Sequence, residues 1–155
     1  MLKMLSRCVL AAGCVVCFIG AAPTSDPDQI AATVHQFGAA MNKGDTKTAF
    51  AMCAPQVSII DEFPPHEWHG ANACSTWGND FDAYNKKSAV TDPIATIGDA
   101  ARIDIAGDRA YAVFPATFAY KKAGKPVKEA GARLTVALQR TSAGWRMTGW
   151  AWTKR

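Results

Sequence analysis

Residues 35–70 read HQFGAAMNKGDTKTAFAMCAPQVSIIDEFPPHEWHG. The stretch opens in the tail of a helix, crosses a strand and ends in a stiff loop. Its Phe37 and Met41 continue an apolar stripe from upstream. Ile30, Val34, Phe37 and Met41 recur at spacings of four, three and four, which places them on one buried helical face. Asp26-Pro27 opens that helix: Asp26 suits the cap, Pro27 the first helical position, and Gln29 stands where a capping-box partner belongs. Gly44 ends it. Asp45 then caps a second, shorter helix, Thr46 to Cys53, which Pro55 stops. Val57 to Phe63 reads as a strand, and residues 61–70, DEFPPHEWHG, as a loop in which Pro64 and Pro65 exclude helix.

Downstream, Ala71 to Lys86 is a third helix with Trp77, Phe81 and Tyr84 on one side. From Ser88 the apolar period becomes two. Thr96 to Ile105, Arg109 to Lys121, Val127 to Arg140 and Gly144 to Thr153 are long strands, separated by turns at Gly107-Asp108, Gly124 and Ser142-Ala143-Gly144. Pro115 inside the second of these implies an edge position or a bulge. Helices first and an antiparallel meander after them predict an α+β fold, with the helices gathered on one face of a curved sheet.

The N-terminal residues 1–22 carry Lys3 and Arg7, an apolar run from Val9 to Ala22, and the small residues Gly20, Ala21 and Ala22. That layout predicts a secretory signal peptide. A lipoprotein signal, with Leu10 to Gly13 ahead of Cys14, is the alternative, but the apolar run continues past Cys14 to Ile19. Residues 23–155 then form one domain of about 130 residues, enough to bury its own core. Without Lys3 and Arg7, 15 basic residues face 13 acidic ones. Lys121, Lys122, Lys125 and Lys128 flank Gly124 and Pro126, which reads as a solvated hairpin turn, so no nucleic-acid footprint remains. No membrane span is expected in the mature chain. Three of the five cysteines go with the leader. Cys53 and Cys74 remain, as a disulfide suited to an exported compartment or as two small buried thiols.

Residues 35–70 resemble the first half of the nuclear transport factor 2-like superfamily: a long helix ending in N-x-G-D, a short helix, a strand, and a loop ending in Gly. Residues 132–155, ARLTVALQRTSAGWRMTGWAWTKR, resemble the last two strands of its SnoaL-like branch. The resemblance implies a cone, a strongly bent sheet wrapped around three helices with a central pocket at the wide end, and often a homodimer through the outer sheet face. It is specific for fold and weak for activity, because many unrelated functions share this architecture. Carried over from the ketosteroid isomerases of the superfamily, the general-base position falls on Asp61. The oxyanion-hole tyrosine position falls on Phe37, which cannot donate a hydrogen bond. The second donor, an acid on the penultimate strand, has no counterpart between Arg133 and Leu138. Steroid isomerisation by that mechanism is therefore not expected.

Asp61 is nevertheless the candidate acid/base: apolar neighbours Ile59, Ile60 and Phe63 would raise its pKa at the pocket wall. Its structural alternative is an end-of-strand acid that caps the loop or pairs with an arginine. His66 and His69 are candidate partners for it. Their H-E-W-H spacing is not the helical H-E-x-x-H of zinc sites, and no metal or other cofactor is expected. Phe37, Phe63, Trp68, Trp77, Arg133, Thr135 and Trp150 are candidate ligand contacts, with Trp68 covering the mouth and an inward Arg133 suiting an anion. His35 reads as a helix-surface residue. Strand alternation sets Trp145 on the face opposite Trp150 and Trp152, where a dimer would bury it. The function expected is an exported domain holding a small, largely apolar molecule. The alternatives are an isomerase, dehydratase or cyclase using Asp61, and a non-catalytic dimerising module whose pocket is filled by its own side chains.

Overall fold

The computed structural model describes residues 25–154. The expected leader and the Cys14 alternative lie outside the described residues. Helix α1, Asp26–Asn42, is capped one residue earlier than expected: the Ser25 hydroxyl accepts from the Asp28 amide. Asp26 is occupied elsewhere, ion-paired with Arg140 and accepting from the Trp145 indole at 3.2 Å. Those contacts hold its carboxyl below the usual range, the Arg140 hydrogen bond contributing most. Gly44, at φ +70°, follows the helix and supplies the left-handed turn.

Helix α2, Thr46–Phe50, is shorter than predicted, and β1, Cys53–Ile60, starts before Pro55 rather than after it. Proline is tolerated there because the β1 ladder is irregular between Cys53 and Ser58, and β2 pairs only from Val57 onward. β2, Glu67–Gly70, was not foreseen: it returns along β1, with Trp68 opposite Ile59. Helix α3, Ala73–Lys87, follows. A disulfide joins Cys53 at the start of β1 to Cys74 in the first turn of α3.

The expected strand Thr96 to Ile105 is two strands, β3 (Val90–Ile97) and β4 (Arg102–Ala106). Both pair with the same side of β5, Arg109–Lys122, and the gap between them falls opposite Pro115. Proline has no N–H to donate, so the ladder breaks where it would need one. β6, Lys125–Thr141, and β7, Gly144–Thr153, complete an open, curved seven-stranded sheet of order β2-β1-β7-β6-β5-β3, with β4 beside β5. β1 and β7 run parallel and the other pairs antiparallel.

The opposed placing of Trp145 is corrected by a bulge. Ala137 faces Gly149 and Leu138 faces Met147, so Thr148 is an extra residue on β7. The shift flips the alternation, and Trp145, Met147 and Trp150 are all buried. The core is thus the concave face: Ile30, Val34 and Phe37 of α1 against Phe114, Leu134, Val136 and Leu138 of the sheet.

Candidate functional site

Beyond that core, the wide end of the cone stays open. A cavity of about 740 Å³ lies between α1, α3 and the inner sheet face. Its walls include Phe37, Trp77, Phe81, Phe118, Trp150 and Trp152. The rings contact one another in sequence: Phe37 lies 5.1 Å from Trp150, Trp150 5.3 Å from Trp77, and Trp77 stacks on Phe81 at 5.6 Å. Such a wall offers large flat apolar surfaces at low conformational cost. Four of these residues, Trp77 and Phe81 on α3 and Trp150 and Trp152 on β7, share faces because their spacings of four and two match helix and strand periods.

Asp61 stands one residue past β1, on the cavity wall. The Trp77 indole N–H donates to its Oδ2 at 2.9 Å, and the Glu62 amide donates to its Oδ1 at 2.7 Å. Burial nevertheless dominates and pushes the carboxyl up to about 6, with those two hydrogen bonds pulling only part of the way back. The result is a carboxyl raised well above the usual aspartate range on the wall of an aromatic chamber.

The histidines do not join it. His66 is exposed, and its Nδ1 lies 3.2 Å from the main-chain oxygen of Asp61, not from the carboxylate. His69 is exposed on β2, with Nδ1 3.2 Å from the Ser58 hydroxyl and Nε2 3.4 Å from Glu67. The β1–β2 pairing sets His69 beside the outward-facing Ser58, and His66 lies in the turn before β2. Among the described residues no group of three His, Cys, Asp or Glu side chains is arranged to hold a metal. His35 reaches the Gly98 carbonyl at 3.0 Å and packs edge-on against Phe114, a tether between α1 and the β3–β4 connection.

Of the predicted ligand contacts, Phe37, Phe63, Trp77 and Trp150 line the cavity. Trp68 does not. It is buried behind Phe63 at 5.0 Å, and its indole donates to Asp80 at 2.8 Å, so Phe63 meets the cavity in its place. Arg133 and Thr135 lie on the convex face of β6, because the alternation that buries Leu134 and Val136 turns their neighbours outward. Leu134 takes the cavity position instead.

One polar cluster on the cavity wall escaped the sequence reading. Lys154 bridges Glu62 at 2.8 Å and Glu129 at 2.7 Å, and the Tyr120 hydroxyl donates to Glu129 at 2.8 Å. The bond to Glu129, together with burial, holds the Tyr120 phenol above its ordinary pKa. Burial pulls Lys154 down, but its bonds to Glu129 and Glu62 outweigh that and leave it raised. The register of β5 and β6 shifts between Ala116 and Phe118, where β6 carries an extra residue, so Glu129 breaks the alternation of Ala132, Leu134 and Val136, while Tyr120 keeps the parity of Phe114 and Phe118. Lys154 follows Trp150 and Trp152 at the strand period, and that signal was available.

The comparisons agree with this architecture. The family model of the SnoaL-like domain matches residues 30–151. No curated protein sequence matches the chain. Among solved structures, a nuclear transport factor 2-like protein with a cystatin-like fold from Novosphingobium aromaticivorans is 15% identical, covers 83% of this chain and 81% of its own, and superposes with a TM-score of 0.67. A nuclear transport factor 2-like superfamily protein from Salmonella enterica is 16% identical over 83% of this chain and 89% of its own, at a TM-score of 0.66. A ketosteroid isomerase-like protein from Erwinia carotovora is 14% identical over 83% of this chain and 95% of its own, at a TM-score of 0.65. At such identities the structures speak for the fold alone. With the family match spanning most of the residues, they place the chain: it belongs to the SnoaL-like domain family, within the nuclear transport factor 2-like fold.

Proposed function

We propose that this domain binds a small, flat, largely apolar molecule in its cone, with Asp61 as the polar group that orients it. The observation that carries this reading is the pairing of an open aromatic cavity with the half-buried Asp61 carboxyl, held by the Trp77 indole on its wall. An enzyme built on an Asp61–histidine pair would need those groups in hydrogen-bond reach, and the His66 contact is to the main chain. A module filled by its own side chains would leave no cavity of this size.

A second reading is favoured by one observation, the rise of the Asp61 carboxyl to about 6. A group with that value is matched to proton transfer near neutral pH, and Asp61 would act alone as the acid/base on a bound substrate, in an isomerase, dehydratase or cyclase type of reaction. Export and self-association complete the proposal. The Cys53–Cys74 disulfide suits an oxidising compartment. The convex sheet face leaves Tyr111 45% exposed, where a second copy would cover it.

Native mass spectrometry of the protein purified from its own compartment tests this. A co-purified small molecule that is retained by the wild type and weakened in Asp61→Asn is the expected result. An adduct-free spectrum at every protein concentration contradicts the binding reading, and the same spectrum reports monomer or dimer.

A further inference from the structure

The inner face of α3 repeats at a spacing of four: Trp77, Phe81, Asn85. The first two are the aromatic residues a buried face calls for. The third is a carboxamide, 7% exposed, on the cavity wall. Buried polar side chains are normally hydrogen-bonded. Thr33, buried to the same degree, bonds to the Gln29 carbonyl at 2.9 Å and the Trp145 carbonyl at 3.3 Å. Asn42, also on the cavity wall, spends both ends of its amide on the Ala95 backbone, at 2.8 and 2.9 Å. The Asn85 side chain makes no hydrogen bond among the described residues. A carboxamide offers two donors and an acceptor, so this one opens to the cavity with none of that capacity taken up by the protein.

We propose that Asn85 is a specificity-determining residue that hydrogen-bonds a second polar group on the molecule held in the cavity, at the end away from Asp61. The inference rests on the binding reading above and deepens it by naming the ligand's shape. Trp77 holds Asp61, and Asn85 lies two helical turns further along, roughly 12 Å on the axis at 1.5 Å per residue. Both side chains lean toward the helix N-terminus, which preserves that separation. Phe81 lies between them and faces Phe118 at 6.2 Å, so the middle of the chamber is apolar. In the ionic cluster nearby, Lys154 is shared by Glu62 and Glu129, and the Tyr120 hydroxyl donates to Glu129. The occupant is therefore an elongated, flat molecule of several rings with a hydroxyl, carbonyl or amide at its far end.

The test uses two probes of equal shape: para-hydroxybiphenyl, with a polar group at one end, and para,para′-dihydroxybiphenyl, with one at each end. Binding is followed by quenching of tryptophan fluorescence. Wild type is expected to hold the doubly hydroxylated compound roughly five- to tenfold more tightly, the worth of one hydrogen bond to a group otherwise unpaired. Asn85→Leu and Asn85→Ala are expected to erase that preference while still binding para-hydroxybiphenyl. Without ligand, Asn85→Leu is expected to melt no lower than wild type, since it removes an amide that makes no hydrogen bond with the protein and adds apolar surface to the wall. A preference unchanged in both variants overturns the assignment of Asn85 and leaves the pocket reading standing. Unfolding or a lowered melting temperature in both makes Asn85 a structural residue and overturns it likewise. Failure of both probes to bind wild type takes down the apolar-pocket reading and this inference with it.

Discussion

Replacing Asp61 by asparagine removes one charge and should leave a pH-dependent trace in stability. Burial lifts the folded carboxyl to about 6, from the 3.8 of a free aspartate side chain. Between those values the folded state binds more protons than the unfolded chain, so stability falls as pH rises through the interval and levels off above it. The interval is worth at most about 3 kcal/mol, because one pKa unit is about 1.4 kcal/mol. Asparagine keeps an oxygen for the Trp77 indole but turns an amide group or nothing toward the Glu62 N–H, a loss of about 1 kcal/mol. Asp61→Asn should therefore be more stable than wild type by about 2 kcal/mol above the folded pKa, and less stable by about 1 kcal/mol below the unfolded one. Urea unfolding of both proteins across that range, read by tryptophan fluorescence, measures the difference directly. Asp26 and Asp45 have lowered pKa values and shift stability in the opposite sense, present above their unfolded pKa and lost as pH falls, but they occur in both proteins and cancel. A difference that is flat with pH, or a wild type more stable at high pH, would refute the claim that Asp61 is a desolvated carboxyl.

Three further outcomes follow from single contacts. Reducing the disulfide, or Cys53→Ala with Cys74→Ala, releases a 21-residue separation and should cost about 3 kcal/mol in denaturant unfolding. Gly149→Ala places a Cβ 2.6 Å from the Ser58 carbonyl oxygen, where backbone on both sides blocks relief, and should lose about 1–3 kcal/mol through the β1–β7 pairing. Trp77→Phe removes the indole donor to Asp61 and should move its titration above the wild-type value of about 6, as read by NMR of the carboxyl carbon.

How far the sequence carried the fold depends on which signals were local. The stripe from Ile30 to Met41, the cap at Asp45 and the turn at Gly124 are set by neighbours along the chain, and those features stand where the pattern placed them, although α2 stops at Phe50. Strand β2 was hidden because two prolines precede a segment of only four residues. The split between β3 and β4 is imposed from across the sheet by Pro115, which no local reading of residues 96–105 contains. Bulges explain the other misplacements: an added residue at Thr148 turned Trp145 inward, and one on β6 between Glu129 and Ala132 hid Glu129. In the site, Asp61, Phe37, Trp77 and Trp150 were legible because each falls at an element end or on an apolar face. Arg133 was misjudged because the sequence marks a strand's two faces without saying which is concave.

The most direct test of the central claim, that the cavity is a binding chamber, is a proton–nitrogen NMR spectrum of the tryptophan indoles during titration with para-hydroxybiphenyl. The Trp77 indole, bonded to Asp61 on the cavity wall, should shift progressively with probe concentration. The indoles of Trp68, bonded to Asp80, and Trp145, bonded to Asp26, should stay still. Shifts confined to Trp68 and Trp145, or an unmoved Trp77 at saturating probe, would contradict the account.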